Sequence, residues 1–149
     1  MVEKIETIIL GGGQGGLATS YFLVQQKHEH IILEQAAQPA NAWRNERWDS
    51  FTFVTPNWSI KMPGAEYNGN DPDGFMPRDE IVKYFEQYVE RFRLPIGYNS
   101  RVNRVEQNTD GDGYCVTTSD AEFIARNIGV GENAARVAAH IVENRGASQ

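Results

Sequence analysis

The sequence predicts an α/β fold: a central parallel sheet with helices on one face and a small antiparallel β-hairpin or meander on the other. Three observations predict it. An isoleucine-rich run at residues 5–10 ends in three glycines, and a helical pattern and a second apolar run, residues 30–34, follow it. A full amphipathic stripe begins at Asp79, and alternating residues then flank Asp110-Gly-Asp-Gly.

Residues 5–10 are short, rich in isoleucine and closed by three glycines, as in a buried parallel strand. Leu17, Phe22 and Leu23, with Tyr21 and the small Ala18, give a helix of roughly four turns. "HIILE" is the second strand. This β-α-β order forces parallel pairing and a right-handed crossover.

The stretch 35–73 holds Pro39, Pro56, Pro63 and Pro72 and all the tryptophans, Trp43, Trp48 and Trp58. Apart from a short strand at 51–54 it is expected to be irregular, and a loop this long in a compact domain is usually functional. Helical order returns where Ile81, Tyr84, Phe85, Tyr88, Val89 and Phe92 share one face. Asp79 is the expected N-cap and Pro95 the stop. Alternation around the glycine-assisted turn reads as a hairpin. Residues 122–130 form a last strand, and Ala134, Val137, Ala138, Ile141 and Val142 line the inner stripe of a closing helix.

With 20 acidic and 14 basic residues, the net charge of −6 speaks against nucleic acid, whose phosphates demand clustered Lys and Arg. Cys115 is the only cysteine, so neither an intrachain disulfide nor a cysteine zinc site can form. The N-terminal apolar run at residues 8–10 is too short for a signal-peptide core or a membrane span. A single cytoplasmic domain with no membrane partner is the expectation. His28, His30 and His140 are scattered and suggest no metal site.

The strongest motif is "LGGGQGGLA", which holds Gly11-x-Gly13-x-x-Gly16 between a strand and a helix, with Glu34 closing the next strand. Gly11 makes the turn, Gly13 lets a pyrophosphate reach the backbone, and Gly16 lets the helix close onto the sheet. The helix start supplies N–H groups and positive potential to phosphates. Glu34 suits adenosine ribose hydroxyls and repels a 2′-phosphate, which disfavours NADP at this turn. The pattern alone does not separate NAD from FAD.

Five stretches carry a family resemblance: "ILGGGQGGLATSYFL", "IILEQ", "AWRNERWDSFTFVTPNW", "FMPRDEIVKYFEQYVERFRLPI" and "FIARNI". On these the chain resembles the N-terminal FAD-binding part of the flavin-containing monooxygenase-like and pyridine nucleotide-disulfide oxidoreductase-like flavoproteins. The resemblance implies a Rossmann-like FAD-binding domain with FAD as cofactor. In that family an NADPH-binding domain interrupts the FAD domain, and the chain returns through a glycine turn and a helix. "GVGENAARVAAHI" resembles that return. The usual Ala-Thr-Gly turn and the NADPH turn are absent. Residues 1–127 thus look like the N-terminal FAD segment joined to a C-terminal FAD segment, 128–149, in a single minimal domain covering 1–149, whether by deletion, natural or engineered, or by evolution.

Carried over residue by residue, the resemblance implies that Gly11, Gly13, Gln14, Gly15 and Gly16 cradle the pyrophosphate and that Glu34 with Gln35 meets the ribose. Arg44 is a candidate phosphate or ribose contact, and Trp43 a candidate wall of the flavin. Thr55, Pro56 and Asn57 fall near the isoalloxazine, and Val102 and Val105 on the strand that meets the adenine edge. Gly131, Glu132, Asn133 and Ala134 fall where the returning turn and helix meet the ribityl chain and the flavin pyrimidine edge.

No catalytic set of side chains emerges, so the chemistry belongs to the flavin. The leading reading is a minimal flavoprotein with little or no monooxygenase turnover. Its alternatives are a small diaphorase- or oxidase-like enzyme with an exposed flavin, and an NAD-binding module. Apolar surface uncovered by the missing insertion implies a homodimer.

Overall fold

A computed structural model describes residues 2–38, 61–66, 69–71, 73–108 and 113–129. In chain order the elements are β1 (Val2–Leu10), α1 (Gln14–Gln25), β2 (His30–Leu33), β3 (Lys61–Met62), β4 (Ala65–Glu66), α2 (Arg78–Phe92), β5 (Ile96–Gly97), β6 (Val102–Gln107), β7 (Tyr114–Thr118) and β8 (Glu122–Gly129). The expected strand at 51–54 and the closing helix lie outside the described residues.

Six strands form one mixed sheet in the order β5-β2-β1-β8-β7-β6, and β3 and β4 form a separate antiparallel pair. β1 runs parallel to both β2 and β8, and β2 runs parallel to β5. The expected hairpin is β6–β7, and β7–β8 extends it into an antiparallel meander. β8 therefore joins the parallel and antiparallel parts of the sheet.

Neighbouring residues of β1 enter different cores, as the two-residue period of a strand requires. Ile9 and its register partner Ile32 pack with Leu17 and Leu23 of α1 and with Ile81, Phe85 and Tyr88 of α2. Ile8 and Leu33 pack instead with Val116, Phe123 and Ala125 of the meander. Each such fully buried aliphatic side chain stabilises the fold by about 1.5–3 kcal/mol. The sheet thus has its helices on one face, and the meander, which continues the same sheet past β8, shares the core of the other face.

α2 begins two residues earlier than expected. Pro77 is its N-cap and supplies no side-chain hydrogen bond, while Asp79 and Glu80 lie inside the first turn. There their charges favour the positive end of the helix rather than capping it. Arg93 closes the helix in the left-handed conformation, with φ 51°, two residues before Pro95.

β3, β4 and β5 are two residues each and escaped the sequence reading. The β3–β4 pair is held from outside: Tyr88 donates its hydroxyl to the Pro63 carbonyl at 2.7 Å, and Tyr84 donates to the Ala65 carbonyl. Among the described residues no helix is long and apolar enough to cross a membrane.

Candidate functional site

The ends of β1 and β2 meet at the glycine turn. Gly11 has φ +94°, a conformation that L side chains rarely adopt, and its N–H bonds the Leu33 carbonyl at 3.0 Å. A Cβ on Gly16 would lie 2.1 Å from the Gly11 carbonyl oxygen, so the helix can approach the strand this closely only with glycine there. A Cβ on Gly13 would meet nothing within 4 Å. The turn expected at Gly11 and the close packing expected at Gly16 are both seen, and Gly13 faces open space.

α1 starts without help from its own sequence. Its N-cap Gly13 has no side chain to offer, and its first turn carries no acidic residue. The first N–H groups of a helix have no intrahelical acceptor, and they carry the positive end of its dipole. The backbone of Gln14 and Gly15 thus starts the helix beside the open space at Gly13, an arrangement suited to a phosphate.

Glu34 follows β2 directly. Its Oε2 accepts the Gly12 N–H at 2.7 Å, and its Oε1 accepts the Ala36 N–H at 3.2 Å. Each oxygen keeps further lone-pair capacity, so the carboxylate is oriented by the protein and still able to accept hydroxyl hydrogens. Its backbone is clamped as well: the Glu34 N–H bonds the Gly97 carbonyl at 2.9 Å, and the Ser100 N–H bonds the Glu34 carbonyl at 2.8 Å. Asn99, at φ 55°, donates its N–H to the Ala36 carbonyl at 2.9 Å.

The structure therefore brings Gly11, Gly13, Gln14, Gly15, Gly16, Glu34 and Gln35 to one end of the parallel strands, where open α/β sheets bind ligands. Val102 packs on the meander-side core, and Val105, 41% exposed, lies farther along the edge strand β6. Trp43, Arg44, Thr55, Pro56, Asn57, Gly131, Glu132, Asn133 and Ala134 lie outside the described residues. Sequence reasoning missed Gly12, Ala36 and Ser100, which hold Glu34, and Asn99, which holds Ala36. The Gly-Tyr-Asn-Ser stretch was the available signal, because Asn tolerates positive φ in a tight turn.

A cavity of about 260 Å³ lies elsewhere, between Lys4, Glu6, Glu29 and Arg126 toward the start of β1. Its lining mixes both charge signs and includes none of the glycine-turn residues. His28 and His30 are structural: their Nε2 atoms bond Thr7 Oγ1 and Ser20 Oγ, each at 2.7 Å and buried. Burial lowers the His30 pKa, partly opposed by the Nδ1 hydrogen bond to the His28 carbonyl. Cys115 donates its thiol to Glu122, and that bond, ahead of burial, pushes its pKa up, the opposite of an activated thiol.

The family model described as pyridine nucleotide-disulphide oxidoreductase matches residues 8–132. The chain belongs to this family. It is 32% identical over 128 residues to an uncharacterized CzcO-like oxidoreductase of Geobacillus kaustophilus, covering 86% of this chain and 36% of that protein. It is 27% identical over 130 residues to the probable indole-3-pyruvate monooxygenase YUCCA1 of Arabidopsis thaliana, covering 85% of this chain and 31% of the relative. Among solved structures, the flavin-containing monooxygenase from Stenotrophomonas maltophilia superposes with a TM-score of 0.77 at 28% identity, over 86% of this chain and 38% of the other. The chain thus spans about a third of the length of these relatives. The α/β, Rossmann-like fold is that of the family, and FAD is its cofactor.

Proposed function

We propose that these 149 residues form a single minimal FAD-binding domain of an oxidoreductase, with residues 1–127 as its first segment and 128–149 as its closing one. One observation carries the reading: the Gly13 face of the turn is open and uncapped while Glu34 is held beside it by Gly12 and Ala36. Diphosphate oxygens would be bound by the backbone of Gly13, Gln14 and Gly15, and ribose hydroxyls by Glu34, with Gln35 alongside. Bound FAD supplies two-electron redox chemistry. The chain's own residues bind and orient it.

In the same proposal Arg44 contacts phosphate or ribose, and Val102 and Val105 mark the strand nearest the adenine. Trp43, Thr55, Pro56 and Asn57 lie toward the flavin ring, and Gly131, Glu132, Asn133 and Ala134 toward the ribityl chain and pyrimidine edge. The 149 residues hold no second glycine turn of this kind for NADPH. As they stand, they bind FAD and turn over NADPH little or not at all.

Calorimetric titration with FAD, FMN and NAD separates the readings. Tightest binding of FAD, with NADPH consumed no faster than by free FAD, is the expected result. Preference for NAD would reject the assignment, and rapid NADPH consumption would replace it with a small diaphorase.

A further inference from the structure

The outer edge of the sheet is β6. β6 ends the strand order, so among the described residues nothing pairs with its outer side. Its sequence around Val105 is Asn-Arg-Val-Glu-Gln: a neutral amide at each end, one cation and one anion inside them, and valine at the centre. Arg104 and Glu106 are 69% and 53% exposed and form an ion pair along the strand. Among the described residues Val105 is one of three large apolar side chains that are exposed, at 41%, and its register partner on β7 is the fully buried Val116.

The backbone has the matching phase. In antiparallel pairing, opposed residues alternate between those that exchange hydrogen bonds and those that do not. The Asn108 N–H bonds the Gly113 carbonyl at 2.9 Å, so counting back along the register, Glu106–Cys115 and Arg104–Thr117 are the pairs turned toward β7. Val105 and Gln107 therefore turn their N–H and C=O groups outward.

We propose that β6 pairs antiparallel with β6 of a second copy of this chain, about a two-fold axis at Val105. Val105 of each copy then exchanges its N–H and C=O with Val105 of the other. In that register Arg104 faces Glu106 of the other copy twice, since a two-fold contact repeats every pair. The two valines meet at the rim of the meander-side core, and Asn103 lies opposite Gln107. Exposed edge strands are commonly blunted by like charge, which repels a second copy. Here the charges are ordered so that the antiparallel copy is complementary. The proposed function sets this same strand nearest the adenine, and the test below reads self-association rather than FAD binding.

Sedimentation equilibrium of the 149-residue chain and two charge-reversed variants tests it. The unmodified chain is expected to dimerise. Arg104→Glu sets acid against acid across the contact, and Glu106→Arg sets base against base; each is expected to weaken self-association about tenfold or more through two like-charge pairs. An equimolar mixture of the two variants restores complementarity and is expected to recover association as a heterodimer, which a misfolded variant could not do. Val105→Pro removes an outward N–H, a position where edge strands tolerate proline, and is expected to abolish pairing while leaving the chain folded. A monomeric unmodified chain, single variants that associate like it, or a mixture that fails to recover would each overturn the proposal.

Discussion

The Glu34 carboxylate accepts the Gly12 N–H at 2.7 Å, which fastens the residue after β2 to the turn after β1. The acid is thus held in place before any ligand arrives. Glu34→Gln keeps one acceptor oxygen but removes the charge and the second acceptor. Charge-assisted bonds contribute about 1.5–3 kcal/mol, so FAD affinity is expected to fall roughly 10–100-fold in a fluorescence-quenching titration. Unchanged affinity would place the ribose elsewhere.

Two alanine substitutions should behave oppositely. Gly16→Ala sets a methyl carbon against the Gly11 carbonyl oxygen, and overpacking of this kind costs about 1–3 kcal/mol or more. A lower melting temperature is expected without any ligand. Gly13→Ala meets open space, so its melting temperature should match the parent while its FAD binding weakens. Equal stability loss in both would contradict the distinction.

Acid should weaken the fold partly through His30. The unfolded imidazole takes up its proton near the ordinary value of 6.5, while burial lowers the folded value. Between the two, the unfolded chain binds more protons, so stability present above 6.5 is lost as pH falls toward the folded value. The melting temperature is expected to drop from about pH 7.5 to about pH 5.5, and less so in a His30→Leu, Ser20→Ala double variant, which removes the buried pair. Identical pH profiles would exclude His30 as a contributor.

Tyr88→Phe removes the bond to the Pro63 carbonyl, worth about 1 kcal/mol. A lower denaturant midpoint is expected, with faster hydrogen exchange confined to the β3–β4 pair and its surroundings. Exchange spread evenly over the sheet would contradict this local role.

What was legible in the sequence was local and periodic. β1, α1, β2 and α2 announced themselves through isoleucine runs, glycine punctuation and the stripe from Ile81 to Phe92, because each pattern fits inside one element. The turn at Gly11 and the close packing at Gly16 were legible for the same reason. β3, β4 and β5 were not, because two residues carry no period, and β3 and β4 exist through hydroxyls 25 and 19 positions away. The clamp on Glu34 was hidden likewise: Gly97 and Ser100 reach it only once β5 has docked on β2. Asp79 was misread as a cap because Pro77, which has a fixed φ but no side-chain acceptor, begins the helix instead.

The most direct test is the visible spectrum of the purified chain after incubation with FAD and removal of free ligand. A yellow protein, with flavin absorbance co-eluting in near-stoichiometric amount and lost in Gly13→Ala, is the expected result. A colourless protein that stays colourless at high FAD would contradict the account.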